Sequence, residues 1–214
     1  MIRGPRDKGG ECGLTMVELL VAIFIGGLVS AAILMGWFSL SRSYSMSTKS
    51  SEARELARDA VSRMAREIRD AEPISPNSAI TAASPTIIEF TTTFNDASNT
   101  TSTSLPHETA YEYVWDAATG EGALHRVQDT DGNTGNGYER DNIVVRHLLN
   151  DGSSPVFQYV FLDQYGDQTV GDTPYSLATV MLVRVRLLVD MNPGKAPNPM
   201  DLTTEVQLRN QRQY

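Results

Sequence analysis

A chain of 214 residues with 26 acidic and 18 basic side chains carries a formal net charge of −8 at pH 7. This acidic balance disfavours nonspecific binding to nucleic acid, which depends on basic surface patches. The only cysteine is Cys12, which excludes an internal disulfide and any metal cluster built from several cysteines.

The first 13 residues, MIRGPRDKGGECG, are polar and precede a long apolar run. From Leu19 to Phe38 there are twenty residues, and Ser30 is the only polar one among them. As a helix this run is about 30 Å long, which matches the hydrocarbon core of a bilayer. We therefore predict a single membrane-spanning helix at about residues 19–38. The basic residues of the first 13 favour a cytoplasmic amino terminus and an extracytoplasmic remainder.

An ordinary secretory signal peptide is the alternative interpretation of this segment. Small residues around Ser30, Ala31 and Ala32 would then supply the cleavage site. Such signals, however, have an apolar region of about 7–15 residues. The longer run that continues to Phe38 favours a helix that is retained in the mature chain.

One carboxylate, Glu18, stands at the amino-terminal edge of the apolar run, within the sequence GLTMVELLVA of residues 13–22. Charged groups in a membrane span are costly, and they are usually paired and functional. The stretch resembles the processing site of type IV prepilins and pseudopilins. In that family a Gly ends a short polar leader, and a Glu is the fifth residue of the mature chain.

The resemblance implies a processing event and a role for the carboxylate. A prepilin peptidase would cut between Gly13 and Leu14, making residues 1–13 the leader, and would methylate the new amine of Leu14. Glu18 would then pair with the amine of its own or a neighbouring subunit as the helices bundle into a filament. The sequence departs from the family pattern in having Leu14 instead of the commoner Phe. It also lacks the proline that many major pilins carry near Met35.

A second helical pattern covers about residues 44–72. Apolar residues recur at three- and four-residue steps and predict one stripe that packs on the sheet of the same domain. The stripe consists of Ala53, Leu56, Ala57, Ala60, Val61, Met64, Ile68 and Ala71. Charged residues, including Arg63 and Glu67, are expected on the opposite, solvent-facing side. Pro73 ends the helix because it disfavours helical backbone at the preceding residue. Residues 14–72 are thus predicted to be helical.

Residues 73–214 are predicted to form a β-rich head, after a linker rich in Pro, Ser and Ala at residues 73–85. Seven stretches rich in β-branched and aromatic residues indicate strands. They are residues 86–94, 110–117, 122–128, 142–149, 156–162, 177–190 and 202–208, with polar loops at 95–108, 129–141 and 163–172. In the longest stretch, Arg184 and Arg186 alternate with apolar residues, which predicts a buried face and exposed or paired arginines. The predicted fold class is α+β, with a long helix packed on an antiparallel sheet.

One loop contains the opening of a calcium-binding pattern, with Asp129, Asp131 and Asn133 at alternate positions. The match then fails, because Thr134 and Arg140 stand where the sharp-turn Gly and the bidentate Glu belong. Turn chemistry is the simpler interpretation. Some pseudopilins bind calcium in a loop, so calcium is kept as a weak candidate, and no other cofactor is predicted.

The sequence offers no catalytic pattern for an enzyme. His107, His125 and His147 are scattered, and no two of them have the spacing of a metal-binding pair. A phosphate-binding loop and a nucleophile elbow are also missing from the sequence. We therefore expect a protein that is not an enzyme.

The order of features in the head resembles the J-type minor pseudopilins of type II secretion systems and the W-type minor pilins of type IV pili. These features are GALHRV, VFQYVFLDQYGD, VMLVRVRLLVD and TTEVQLRN. The resemblance implies a minor subunit at the tip of a pilus or pseudopilus. Its partners would be the prepilin peptidase, other pilins or pseudopilins of a filament or tip complex, and the inner-membrane assembly platform. The subunit would lie in the inner membrane before its extraction into the filament. The alternative is a binding module displayed on that filament, which contacts surfaces, secreted substrates or DNA.

Overall fold

The computed structural model describes residues 15–72, 78–92, 107–130, 137–191 and 199–209. Within these residues a long helix, α1 (Met16–Arg69), precedes nine strands. The strands are β1 (Ile80–Ala83), β2 (Ile87–Thr92), β3 (His107–Asp116), β4 (Glu121–Gln128), β5 (Arg140–Leu148), β6 (Phe157–Leu162), β7 (Gln168–Gly171), β8 (Val180–Val189) and β9 (Met200–Gln207). All pairings between the named strands are antiparallel. The predicted α+β class, with a long apolar helix followed by an antiparallel sheet, is confirmed as a pilin-like architecture.

The chain divides into two compact units, residues 1–47 and 48–214. In the first unit, α1 presents large apolar side chains to the outside all the way from Met16 to Leu40. By length and composition, this helix is apolar enough to cross a membrane. Exposed apolar surface on this scale requires a lipid environment or neighbouring apolar helices.

In the second unit, the remaining part of α1 contributes one face to the hydrophobic core. The buried apolar residues of this face are Ala53, Ala57, Ala60, Val61, Met64 and Ile68. Two positions differ from the prediction: Leu56 is 51% exposed, whereas Glu67 is fully buried. At 3.6 residues per turn, Leu56 lies about 20° farther from the centre of the buried face than Glu67 does. The edge of that face therefore runs between these two residues, and the carboxylate is on the inner side.

The sheet is a meander from β1 to β5, after which the order continues through β8, β6 and β7, while β9 also pairs with β8. All seven predicted strands are present, with ends that differ by a few residues. Strands β1 and β7 were not predicted, because they lie in segments interpreted as a linker and a polar loop. Strand β3 begins at His107 and β5 at Arg140, each inside a segment predicted to be a loop. Residues 177–179 were predicted to begin the strand at 177–190. They form a turn of 3₁₀ helix instead, and β8 begins after it, at Val180.

Strand β8 has the two faces that its sequence predicts. Val183, Val185 and Leu187 are fully buried. On the other face, Arg184 pairs with Glu205 of β9 at 2.7 Å, and Arg186 pairs with Asp201 at 2.6 Å. The prediction that these arginines are exposed or paired is confirmed.

Candidate functional site

The start of α1 is closed by a reciprocal pair of side chains, Thr15 and Glu18. The Thr15 backbone N–H donates to Glu18 Oε2 at 2.9 Å, and the Glu18 backbone N–H donates to Thr15 Oγ1 at 3.3 Å. The Thr15 hydroxyl also donates to Glu18 Oε2, at 3.0 Å. This arrangement is a capping box, which satisfies backbone donors that the first turn of a helix leaves without partners.

The capping box leaves part of the Glu18 carboxylate available. All of its hydrogen bonds in the described part of the chain use Oε2, so Oε1 remains free to accept a donor. Leu14, whose amine is the predicted partner, and Gly13 both lie outside the described residues. The pairing of Glu18 with the Leu14 amine therefore stays a prediction. Thr15 was not singled out from the sequence, although a Thr three residues before a Glu at the start of an apolar run is the signal of such a cap.

A second polar site lies inside the head, where α1 meets the sheet. The Glu67 carboxylate accepts from Arg126 Nε at 2.8 Å, from the Tyr111 hydroxyl at 3.0 Å and from Arg63 Nε at 3.1 Å. The side chains of Glu67 and Arg126 are 0% and 1% exposed. Because a buried charge requires a charged partner and further hydrogen bonds, this network fixes how the helix sits on strands β3 and β4.

The buried network extends along β4 and perturbs its tyrosine. Arg126 Nη1 donates to Gln128 Oε1 at 3.2 Å, while Arg126 Nη2 has no hydrogen-bond partner in the described part of the chain. Burial raises the pKa of Tyr111, and the negative charge of Glu67 adds to this rise. The Tyr111 hydroxyl therefore stays protonated and serves as a donor to the carboxylate. Nothing in the sequence pattern links residues so far apart in the chain, so this network was not predicted.

The three histidines lie in separate surroundings. His125 Nδ1 is 2.8 Å from Asp141 Oδ1, and His147 Nδ1 forms a hydrogen bond with Glu121. His107 is buried at the start of β3, and neither ring nitrogen has a partner among the described residues. These contacts do not bring two histidines to one site.

Of the three residues in the weak calcium candidate, the structure describes Asp129 alone. Asp129 is buried, and its backbone N–H donates to the carbonyl of Glu108 at 2.9 Å. Asp131 and Asn133 lie outside the described residues. Within the described ranges, no group of three or more His, Cys, Asp or Glu side chains is arranged to hold a metal ion. Calcium binding by this loop stays an untested prediction.

The comparison with known families identifies the amino-terminal segment. A family model for the prokaryotic N-terminal methylation motif matches residues 8–34. The motif indicates a type IV pilin-like prepilin substrate, and the match covers 27 of the 214 residues. The match includes Gly13, Leu14 and Glu18 and extends into the apolar part of α1. No curated protein and no solved structure matches the chain.

The motif has consequences for processing and location. It indicates cleavage and methylation by a prepilin peptidase and assembly into a pilin-type filament in general. Together with the exposed apolar part of α1, it is consistent with a membrane-anchored pilin. The position of cleavage between Gly13 and Leu14 is still a prediction from the sequence. The J-type and W-type likeness of the head belongs to the proposal that follows.

Proposed function

We propose that this chain is a minor pilin or pseudopilin, a structural and non-enzymatic subunit of a type IV pilus or of a type II secretion pseudopilus. It is cut between Gly13 and Leu14, methylated on the Leu14 amine, and assembled through α1 at the filament tip. The observation that carries the proposal is the methylation motif over residues 8–34, in which Glu18 caps the start of an exposed apolar helix.

The capping geometry explains how one carboxylate serves two states of the protein. Before assembly, Glu18 satisfies the backbone at the start of α1 through Oε2. Inside a bundle of apolar helices the carboxylate loses water, and a desolvated charge requires a partner. The free Oε1 can accept the methylated amine of Leu14, from the same subunit or from its neighbour.

The minor role rests on the resemblance of the head and on the form of the helix. The helix α1 runs through Met35 and Gly36, the region where many major pilins carry a proline. The features of the head that resemble J-type pseudopilins and W-type minor pilins lie on β4, β6, β8 and β9. A tip subunit of this kind has a cytoplasmic amino terminus and an extracytoplasmic head, and the basic leader favours that orientation.

Substitution of Glu18 tests the assembly step. The Glu18→Ala variant is expected to be cut like the wild type but to be largely missing from sheared filaments, because the desolvated amine has no carboxylate partner. The measurement is the ratio of filament-bound to membrane-bound chain by immunoblot, with intact mass as the check on cleavage. Glu55→Ala, at an exposed position of the same helix, is the matched control. Wild-type incorporation of the Glu18 variant would remove the carboxylate from the assembly mechanism.

A binding module displayed on the filament is the second candidate function. One feature of the head favours it, a pocket beside the exposed indole of Trp115. Assembly through α1 does not itself involve this pocket, which lies in the head. The two functions are compatible, since both require the same helix.

A further inference from the structure

The head contains a largely apolar pocket of about 300 Å³. Its walls come from three parts of the chain: the turn before β2, strand β3, and the loop between β5 and β6. Its apolar and aromatic walls are Pro85, Tyr113, Trp115, Pro155 and Val156, and Asp151 lies at its polar side. Trp115 is 48% exposed and lines the pocket. The volume is at the lower end of the range for ligand pockets, which suits a single side chain or a small group.

The aromatic wall is held in place by close contacts. Tyr113 and Trp115 are two residues apart on β3 and share one face. Gly122 lies opposite Trp115 on β4, and a Cβ at Gly122 would be 2.2 Å from the Tyr113 ring. Glycine at this position therefore allows the tyrosine ring to lie across the neighbouring strand. The Tyr113 hydroxyl donates to the backbone carbonyl of Asn150 at 2.6 Å, which fixes the ring at its far end.

The polar side of the pocket includes Asn150, which is buried and bonded to the surrounding backbone. Asn150 Nδ2 donates to the carbonyls of Ser154 and Arg186, and Asn150 Oδ1 accepts from the Leu188 backbone N–H. Its own backbone carbonyl accepts from Tyr113. Both Nδ2 hydrogens are therefore used, and because Asn150 is only 1% exposed, its two oxygens are covered from a ligand.

Asp151 is different, because one of its oxygens is unused. Oδ1 accepts from the backbone N–H groups of Ser153 and Ser154 and from the Ser153 hydroxyl, at 2.7 to 2.9 Å. Among the described residues, Oδ2 has no hydrogen bond and Asp151 takes part in no salt bridge. The hydrogen bonds to Ser153 hold the pKa of Asp151 below its usual value, so this carboxylate is ionised at neutral pH.

Apolar walls, an exposed indole and one free carboxylate oxygen select the chemistry of the ligand. A sugar ring would stack on Trp115, but most of its hydroxyl groups would face apolar walls, since Asn150 is buried and the polar side chains left at the pocket are Thr86 and Asp151. An arginine fork pairs best with both carboxylate oxygens, and at Asp151 Oδ1 already accepts three donors. An alkylammonium group needs one acceptor, places its apolar stem against proline and valine, and is attracted to the face of an indole.

We propose that this pocket binds a lysine side chain of a partner protein, with the stem along Trp115 and the ammonium group at Asp151 Oδ2. The proposal goes beyond filament assembly and concerns the head alone. It names a contact through which the displayed subunit recognises another polypeptide. A capped lysine is therefore expected to bind to the isolated full-length chain, whether or not that chain enters a filament.

Binding can be measured on the full chain in detergent micelles through its two tryptophan indole N–H signals in ¹⁵N-labelled protein. The probe is Nα-acetyl-lysine methylamide, and the matched neutral probe is its norleucine counterpart. We expect a saturable shift of the Trp115 signal with the lysine probe and a much smaller response to norleucine. The Trp37 signal, from the apolar part of α1, serves as the internal reference and should not move.

Two variants separate the charge from the fold of the loop. Asp151→Asn retains an oxygen for the Ser153 and Ser154 donors but removes the charge, and it should weaken lysine binding about two- to fivefold. Asp163→Asn, at another turn that does not line the pocket, should leave binding unchanged. The proposal is overturned if the lysine and norleucine probes bind equally, if Asp151→Asn binds lysine like the wild type, or if Trp115 does not respond. Since the measurement needs no filament, none of these outcomes bears on the assembly role.

Discussion

At the scale of single residues, the most informative side chain is Glu67, a carboxylate buried where charged residues were expected to face solvent. It accepts hydrogen bonds from Arg63, Tyr111 and Arg126 at distances between 2.8 and 3.1 Å. Two of these donors belong to the sheet, so one carboxylate connects the helix to β3 and β4. Removal of one partner from such a buried pair leaves the other charge without compensation.

Glu67→Ala should therefore strongly destabilise the head. We expect its free energy of unfolding to fall by about 3–5 kcal/mol, because Arg126 would stay buried without a counter-charge. The measurement is chemical denaturation of the full chain in detergent, followed by a probe of the sheet such as near-ultraviolet circular dichroism. Glu55→Ala, on the exposed side of the same helix, should change stability by less than about 0.5 kcal/mol. Equal stability of the two variants would contradict the anchoring role of Glu67.

The contrast between Glu18 and Glu67 shows which single residues can be predicted from a sequence. The features that single out Glu18 are local, namely a glycine, a hydrophobic residue and an apolar run within a short segment. The partner of Glu67 lies 59 residues away on another element. Helical periodicity places Glu67 at the edge of the charged face. That this edge is buried depends on the tertiary structure, which places Arg126 of β4 beside Glu67.

At the scale of elements, the pairing of β2 with β3 brings two carboxylates, Glu89 and Glu108, close together. Glu89 of β2 accepts a hydrogen bond from the Tyr138 hydroxyl at 2.7 Å. Burial, together with a hydrogen bond to Glu89 and the negative charge of that residue, raises the pKa of Glu108 on β3 to about 7. A carboxyl group with a raised pKa favours folding only while it is protonated.

This arrangement predicts a pH dependence with a definite sign. Between about pH 4.5 and pH 7 the folded chain holds a proton on Glu108 that the unfolded chain has lost, so stability falls as pH rises through this window. Glu108→Gln should make the melting temperature depend less on pH and should raise it relative to the wild type at pH 7.5. Glu112→Gln, at an exposed position of the same strand, should keep the wild-type slope. A Glu108 variant with an unchanged slope would refute this role.

The strands show which elements the alternation of apolar and polar residues can predict and which it cannot. Long strands such as β8 have enough alternating residues to be recognised, and their partners confirm the faces that were predicted. β1 and β7 have four residues each and lie at the two ends of the sheet order. β1 contains Ile80 as its only large apolar residue, and β7 contains Val170. Such short edge strands are defined by pairing with β2 and β6, which is a tertiary property that local sequence does not contain.

At the scale of the whole molecule, the chain combines an apolar helical segment with a folded head, and each part has its own requirements. The exposed apolar segment of the first unit is stable only in lipid or among other apolar helices. The head has its own core, to which the second part of α1 contributes. The methylation motif and the apolar pocket beside Trp115 are thus carried by separate units of one chain.

The most direct test of the pilin-like account is the intact mass and amino-terminal sequence of the chain purified from cells with and without a prepilin peptidase. The account predicts a chain that starts at methylated Leu14 only when the peptidase is present. It also predicts that Gly13→Ala remains uncut in both strains. A chain that starts near Ala32, or a wild-type chain that is uncut in both strains, would contradict the account and leave an exported or anchored β domain.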